Sequence, residues 1–465
     1  MGNQAPVRCP GAVDKTGVVG VTSAYQSALA YIYSYTNYER LGMPKYTMTY
    51  YDLERMRTLL ARLGDPQHKF RALLIAGTKG KGSTAAFAES MIRTAGYRTG
   101  LYTSPHLHSF RERIKIGGQL ITEEEVVRLV EILRPHAESI AGLTAFELIT
   151  AMAFYAFAGA GVEIAVLEVG LGGRLDATNV VHPAVAVITS ISYDHTQLLG
   201  DTLWLIAREK AGIIRPGALV ISAPQMPEAM TLIEEVCAGR RAELVVVGEG
   251  DYRWLRGRAT MHGQWFELQG ERYWIPLLGR YQIANAVTAW AALDGMEQRT
   301  GLVVPLDARR QGLHTTEWPG RLEILNHRPY LVVDSAHNGD SAGKLCQALR
   351  EFFPGRRVTL VFGASGDHPF RDVLRELLPI ATRVLVTRSR HPRAAAPEVL
   401  LEAVAQLGYH ASVVTPVGEA VAAALQNSDT DDLICVTGSI FTVADAREFW
   451  FRRNGLPLPP MDPPV

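Results

Sequence analysis

The chain reads as an α/β protein of two units, a larger one around a mostly parallel sheet and a smaller one after it. Three observations predict this. From Ala72 to Ala223 short apolar runs alternate with helical patterns. A glycine-rich turn separates the first of those runs from the first helix. A second series of apolar runs then begins beyond a stretch punctuated by Pro319 and Gly320.

In chain order, residues 1–21 carry no clear periodicity and are expected to form a loosely held arm. Strands are predicted at Leu73–Ile75, Thr99–Tyr102, Ile164–Leu167, Ala186–Ile188 and Leu219–Ile221, apolar throughout as strands covered on both faces must be. The run Ile149 to Gly161 is too short to span a bilayer and predicts a buried helix. From Leu244 to Pro276 the pattern alternates between glycines, which predicts antiparallel hairpins, and a helix follows from Ile283 to Met296. Residues 315–321 mark a boundary, giving an N-terminal and central unit over 1–316 and a C-terminal unit over 317–465. In the latter, strands are expected at Tyr330–Val333, Val358–Val361, Val384–Val386 and Leu433–Val436.

Composition excludes several classes of partner. Lys+Arg and Asp+Glu both number 47, so no net field favours nucleic acid or an anionic membrane. Small molecules are the expected partners. Four scattered cysteines without a CxxC pair, and no basic-then-apolar leader pattern, suit a soluble protein of a reducing, cytoplasmic compartment.

The turn itself, Gly77-Thr78-Lys79-Gly80-Lys81-Gly82-Ser83-Thr84, has the composition of a phosphate cradle. Glycines let backbone N–H groups converge on an anion, the helix N-terminus adds partial positive charge, and Lys81 supplies a full one. The usual pattern puts Ser or Thr directly after the lysine; here Gly82 intervenes and the hydroxyls are Ser83 and Thr84. Mg²⁺ on a nucleotide wants oxygen ligands and retained waters, a need that Ser83, Ser104 and Glu168 meet. Glu168 alone could equally be a carboxylate satisfied by backbone amides, and His195 alone a structural histidine. Their placement beyond successive strands of one sheet favours function for both. A fourth group, Glu209 to Ile213, also falls at a predicted strand end, although Lys210 on a helix is commonly a solvated charge. Held desolvated, it could be neutral enough to react with carbon dioxide and form a carbamate.

Taken in order, Gly-Thr-Lys-Gly-Lys-Gly-Ser from Gly77, Ser-Pro-His-Leu from Ser104, Glu-Val-Gly-Leu-Gly-Gly-Arg-Leu-Asp-Ala-Thr-Asn from Glu168, Asp-His-Thr from Asp194 and Glu-Lys-Ala-Gly-Ile from Glu209 resemble the folylpolyglutamate synthase and dihydrofolate synthase family of the Mur ligases. The resemblance runs from roughly residue 51 to residue 446. It implies a P-loop-containing, Mur-ligase-like central domain and a Rossmann-like α/β C-terminal domain. It further implies that Lys81 and the loop residues Gly77, Thr78, Gly80, Gly82, Ser83 and Thr84 hold ATP. By the same resemblance Ser83, Ser104, Glu168 and His195 serve two Mg²⁺ ions, and Lys210 falls on a carbamylated lysine beside them. Asn285 resembles an adenine contact, Arg321 a phosphate contact, and Asp334 a ribose contact, for which a plain strand-end turn is the alternative. His337 and Ser439 resemble residues on the glutamate side of the cleft. Thr144 and Phe146 resemble a pteridine-facing segment, but Thr144 with Glu147 is also a capping box, and Thr122 with Glu125 repeats that pattern with no functional role. The family's Asn-Pro turn reads Asn338-Gly339 here.

The activity implied is ATP-dependent joining of L-glutamate to a folate, to dihydropteroate, or to both, through an acyl phosphate, by a monomer whose two domains close on the substrates. Two rivals stand beside it: a cell-wall Mur ligase, disfavoured by Gly82 after the lysine, and a nucleotide-binding switch without ligase activity, disfavoured by the joint presence of Glu168, His195 and Lys210.

Overall fold

The computed structural model describes residues 19–38, 52–366 and 369–463. The arm expected over 1–21 lies outside the described residues as far as residue 18, and from Val19 the chain is already helical, to Ser34.

The first sheet has eight strands: β1 (Arg71–Ala76), β2 (Thr99–Tyr102), β3 (Ile114–Ile116), β4 (Gln119–Leu120), β5 (Ile164–Glu168), β6 (Val185–Ile188), β7 (Leu219–Ser222) and β8 (Glu243–Val246), in the order β4-β3-β2-β5-β1-β6-β7-β8. From β2 to β8 across the sheet the pairing is parallel, while β3 and β4 add an antiparallel edge. Side chains alternate across the sheet with period two. Leu73 and Ile75 of β1 enter a core with helices Lys81–Thr94 and Arg280–Thr300. Ala72, Leu74 and Ala76 enter the opposite core, with helices Glu123–Ala137 and Ala145–Gly159. Both faces are therefore dry, which is why these strands read as unbroken apolar runs. Because β1 lies between β5 and β6 while the chain leaves it for β2, the crossovers diverge at its carboxyl end and open a crevice there.

A three-stranded antiparallel sheet follows, β9 (Trp254–Thr260), β10 (Gly263–Leu268) and β11 (Glu271–Ile275). The expected hairpins are present, with one correction: Leu244 belongs to β8, paired parallel with β7, and the hairpins begin at Trp254. Periodicity alone does not separate the two, since a half-buried edge strand alternates just as a hairpin does. The helix expected from Ile283 to Met296 runs from Arg280 to Thr300.

The last sheet has β12 (Glu323–His327), β13 (Tyr330–Val333), β14 (Val358–Phe362), β15 (Arg383–Val386), β16 (Ser412–Val413) and β17 (Leu433–Thr437) in the order β12-β13-β17-β14-β15-β16. All pairs except β12–β13 are parallel. Here too alternate residues part: Val332, Leu360 and Cys435 go to one core and Leu331, Val361 and Ile434 to the other. The two edge strands, β12 and the short β16, are not among the expected ones, because polar residues dilute their apolar pattern.

Among the described residues no helix is long and apolar enough to cross a membrane. Ala145–Gly159 is the buried helix expected, capped by Thr144 and Glu147 in a reciprocal box. At Thr122 only the forward half of that pattern forms: its hydroxyl accepts from the Glu125 N–H, while the Glu125 carboxylate accepts from Arg128.

The loop-bearing helix Lys81–Thr94 is held from behind by helix Leu306–His314, which crosses it at Gly312. A Cβ on Gly312 would lie 2.4 Å from the Met91 Cα, and the Gly312 carbonyl accepts a hydrogen bond from Ser90 Oγ at 2.8 Å. Gly312→Ala is expected to push these helices apart and lower stability by about 1–3 kcal/mol; an unchanged urea-unfolding midpoint would show that the crossing can relax.

Candidate active site

At the carboxyl end of β1 the chain turns through Gly77–Gly80, and helix Lys81–Thr94 begins on the Gly80 N-cap. The departure from the usual loop has a steric cause. A Cβ at position 82 would stand 2.6 Å from Trp318 Cζ2, so a hydroxyl residue after Lys81 collides with the indole that the chain carries in just before β12. Ser83 takes the next place, largely buried, on the wall of the cavity that the turn opens into.

Around that cavity stand Gly77, Thr78, Lys79, Gly80, Lys81, Gly82, Ser83, Ser104, Glu168, Asp194, His195, Lys210, Asn285, Arg321, Asp334 and His337. Most of the expected ATP and metal residues are thus brought together from elements far apart in sequence. Thr84 is the exception: it is fully buried within its helix and off the cavity wall. Lys210 stands not at a strand end but at the last position of helix Leu203–Lys210, which turns it inward beneath the glycine loop.

Glu168, the last residue of β5, is buried 3.9 Å from the Lys81 ammonium and accepts a hydrogen bond from the Ser104 N–H at 3.2 Å. Burial raises its pKa, and Lys81, the Ser104 amide and Arg321 only partly offset that. A buried carboxylate in this condition is short of positive charge. Among the described residues no group of three or more His, Cys, Asp and Glu is spaced to hold a metal alone. Mg²⁺ needs no such group, because it keeps waters and shares phosphate oxygens, and one carboxylate with the Ser83 and Ser104 hydroxyls on the same wall suits it.

Lys210 Nζ donates to the Gly77 carbonyl at 2.9 Å. Burial, reinforced by the Lys81 charge, brings its pKa down to about 7. Two residues not singled out from the sequence complete this edge. Lys79 Nζ reaches Asp194 Oδ2 and His337 Nε2, each at 2.9 Å. Burial alone would raise the Asp194 pKa, but the Lys79 ammonium beside it holds it well below the ordinary carboxylate value. The second lysine of the loop was the available signal for this pairing, but its partners come from the segments that follow β6 and β13, which spacing does not reveal.

The C-terminal residues enter from the far side. Asp334 accepts from the Leu322 and Ala336 N–H groups at 2.8 and 2.9 Å, so the strand-end turn expected as the alternative is present, and the residue also lines the cavity. Arg321 and His337 stand on the wall shared with a second cavity, together with Ser104 and His195. Thr144, Phe146, Asp176, Arg55 and Ser439 line this second chamber. Phe146 sits in the first turn of its helix with its ring 6.1 Å from that of Tyr102, and Ser439 caps the helix Ile440–Arg453 by accepting from the Phe441 N–H. Thr144 is both cap and wall. Arg55, paired at 3.2 Å with Glu147, has no motif pointing to it, and Asp176, although inside the motif that begins at Glu168, is not among the expected site residues. The arrangement is chemically legible: an anion cradle rich in lysine opens into an aromatic-walled chamber through a neck lined by serine, histidine and arginine.

Between about pH 7 and 10.5 an unfolded chain keeps the Lys210 proton that the folded one releases, so this group's contribution to stability rises with pH there; below pH 7 its burial cost is felt in full. Lys210→Met is therefore expected to gain stability over the parent most below pH 7, with the gain shrinking towards pH 10.5. Urea unfolding at several pH values in carbon dioxide-free buffer checks this, and a pH-independent difference would refute the depressed pKa.

Comparison with known proteins places this geometry in a family. Residues 75–293 match the Mur ligase middle domain and residues 320–440 the Mur ligase glutamate ligase domain. The chain is 34% identical over 407 residues to the dihydrofolate synthase/folylpolyglutamate synthase of Bacillus subtilis, covering 85% of this chain and 94% of that one. It is 32% identical over 445 residues to the folylpolyglutamate synthase of Lacticaseibacillus casei, covering 91% and 98%. Among solved structures, Mycobacterium tuberculosis folylpolyglutamate synthase complexed with ADP and AMPPCP superposes with a TM-score of 0.83 at 32% identity, over 92% of this chain and 99% of that one. Escherichia coli FolC in complex with DHPP and ADP gives 0.81 at 32% identity, over 93% and 99%. The chain belongs to the folylpolyglutamate synthase and dihydrofolate synthase family of the Mur ligases, and it is an ATP-dependent acid–amino-acid ligase.

Proposed function

We propose that this ligase adds L-glutamate to the glutamate tail of a reduced folate and also to dihydropteroate. The observation that carries the reading is the shared wall of Ser104, His195, Arg321 and His337, where the lysine-rich cavity and the aromatic chamber meet. A triphosphate terminus in the first and a carboxylate reaching out of the second would face each other there. The division of labour we infer runs along the chain, with residues 1–316 cradling the ATP phosphates and the pteridine and residues 317–465 closing over ATP and receiving glutamate.

A carboxylate does not accept an amine unaided, because its oxide leaves poorly. Transfer of the γ-phosphoryl group to it makes an acyl phosphate, which the glutamate amine attacks with loss of phosphate. Lys81 and the N–H groups at the start of its helix hold the phosphoryl oxygens and stabilise their charge during transfer. Asn285, packed against Gly80, serves the adenine, and Asp334 the ribose. Arg321, between the chambers, meets phosphate. Phe146 and Thr144 seat the pteridine, and His337 with Ser439 takes the amino acid. Glu168, Ser83, Ser104 and His195 are the residues that would hold two Mg²⁺ ions, which when bound offset charge on the phosphates. With its pKa near 7, Lys210 has a neutral amine to offer carbon dioxide; the new N–C bond releases one proton, and the remaining N–H still reaches the Gly77 carbonyl. Domain closure would exclude water from the acyl phosphate.

Mass spectrometry of products from dihydropteroate and from tetrahydrofolate, each with ATP and L-glutamate, tests the reading. Glutamylated product is expected from both. ATP turnover indifferent to glutamate and to either acceptor would mean a switch instead. Phe146→Ala is expected to raise KM for the pteridine substrate about tenfold with little change in kcat, as loss of uniform binding does; an equal loss in both parameters would move Phe146 out of the binding site.

A further inference from the structure

Lys79 is the second cation of the glycine loop, yet it is not disposed as a phosphate ligand. Its backbone N–H is committed to the Ser190 carbonyl at 3.1 Å, as is that of Thr78 at 2.9 Å, and Thr78 Oγ1 donates to the Ser192 carbonyl. This part of the loop is therefore laced to the segment after β6 rather than turned towards the helix N-terminus. The side chain follows the backbone: where Lys81 faces Glu168, Lys79 faces Asp194 and His337. Asp194 is anchored in turn, its other oxygen accepting from the His195 N–H at 3.1 Å.

His337 comes from the turn after β13, 258 residues further along the chain, and this bond joins the two halves of the molecule across the cleft. Its protonation pattern follows from the bonds. The Ser335 carbonyl, 2.9 Å from Nδ1, can only accept, so Nδ1 carries the proton; Nε2 has the Lys79 ammonium at 2.9 Å and Asp194 Oδ2 further off at 3.7 Å, and presents the lone pair that Lys79 fills. A lysine ammonium has three donors, enough to serve a carboxylate on one lobe and an imidazole on the other at once.

We propose that Lys79 is the positioning residue of the amino-acid side: anchored on Asp194, its ammonium holds His337 in one tautomer and one place at the neck between the chambers. This rests on the reading above that His337 meets glutamate. The amine must arrive within a near-attack distance of the activated carboxylate, and misplacing a receiving group by an ångström is costly even when nucleotide stays bound.

The test uses the full-length enzyme with Lys79→Met and Lys79→Arg, each checked for unaltered thermal unfolding. Steady-state kinetics are followed in L-glutamate at saturating ATP and acceptor, and ADP binding is measured by calorimetry. Lys79→Met is expected to lower kcat/KM for glutamate by about 10–100-fold and to leave ADP affinity within about threefold, since Lys81 and the helix amides are intact. Lys79→Arg, which keeps a cation with several donors, is expected to recover most of the loss. The imidazole ¹⁵N signals of His337 should lose their Nδ1–H pattern in the methionine variant and keep it in the arginine one. An unchanged glutamate term, or an ADP affinity that falls in step with it, overturns the proposal while glutamate ligation by the parent enzyme still stands. If the parent enzyme itself ligates no glutamate, the functional reading fails and takes this proposal with it.

Discussion

Lys79, Lys81 and Lys210 line one cavity where Asp194 faces the first and Glu168 the second, and all five groups are largely withdrawn from water. Like charges gathered in a poorly solvated space repel, and at Lys210 burial first, with Lys81 adding to it, depresses the pKa. Much of the rest of the architecture answers to this constraint. The carboxyl ends of β1, β5 and β6 supply the floor, helix Lys81–Thr94 points its N-terminus inward, and the crevice is left open for an anion that balances the excess. The repulsion is tolerated because the two cores behind the sheet are dry and extensive, so the site can remain unfavourable until ligand arrives.

The second half of the molecule completes the site rather than merely covering it. Trp318 rests on Gly82, Arg321 lies at the neck, and His337 bonds to the glycine loop through Lys79. Further out, Arg447 of the last helix meets both Glu323 and His108, whose pKa burial and that guanidinium lower to about 4. Asp462 ties the end of the chain to Ser109, Phe110 and Tyr25. These contacts converge on the loop of residues 104–113, which begins with the serine whose amide touches Glu168. That loop thus touches the last helix, Asp462 and Glu168 at once.

Strands covered on both faces announce themselves as continuous apolar runs, so all the central strands of both large sheets were legible from sequence. The short β3 and the edge strands β4, β8, β12 and β16 were not, since polar residues dilute that signature. Candidate residues behaved in the same way. Glu168, Ser104 and His195 follow strands and carry motifs, whereas Arg55 reaches the chamber only through what folds against it. Thr84, equal to Ser83 by composition, differs from it by the rotation of one helical step, which takes it from the cavity wall into the interior.

By itself the sequence determined the chemistry on offer: a lysine-bearing glycine turn after an apolar strand, a carboxylate and hydroxyls near strand ends, and two α/β units in succession. Those follow from local rules of backbone freedom, periodicity and charge, which act over a few residues. Tertiary structure alone decided which lysine faces which acid, why Gly82 must stand where a hydroxyl is customary, and that a histidine 258 residues away completes the loop's hydrogen bonding. Such pairings depend on where two sheets bring their edges together, and no local pattern encodes the distance between edges.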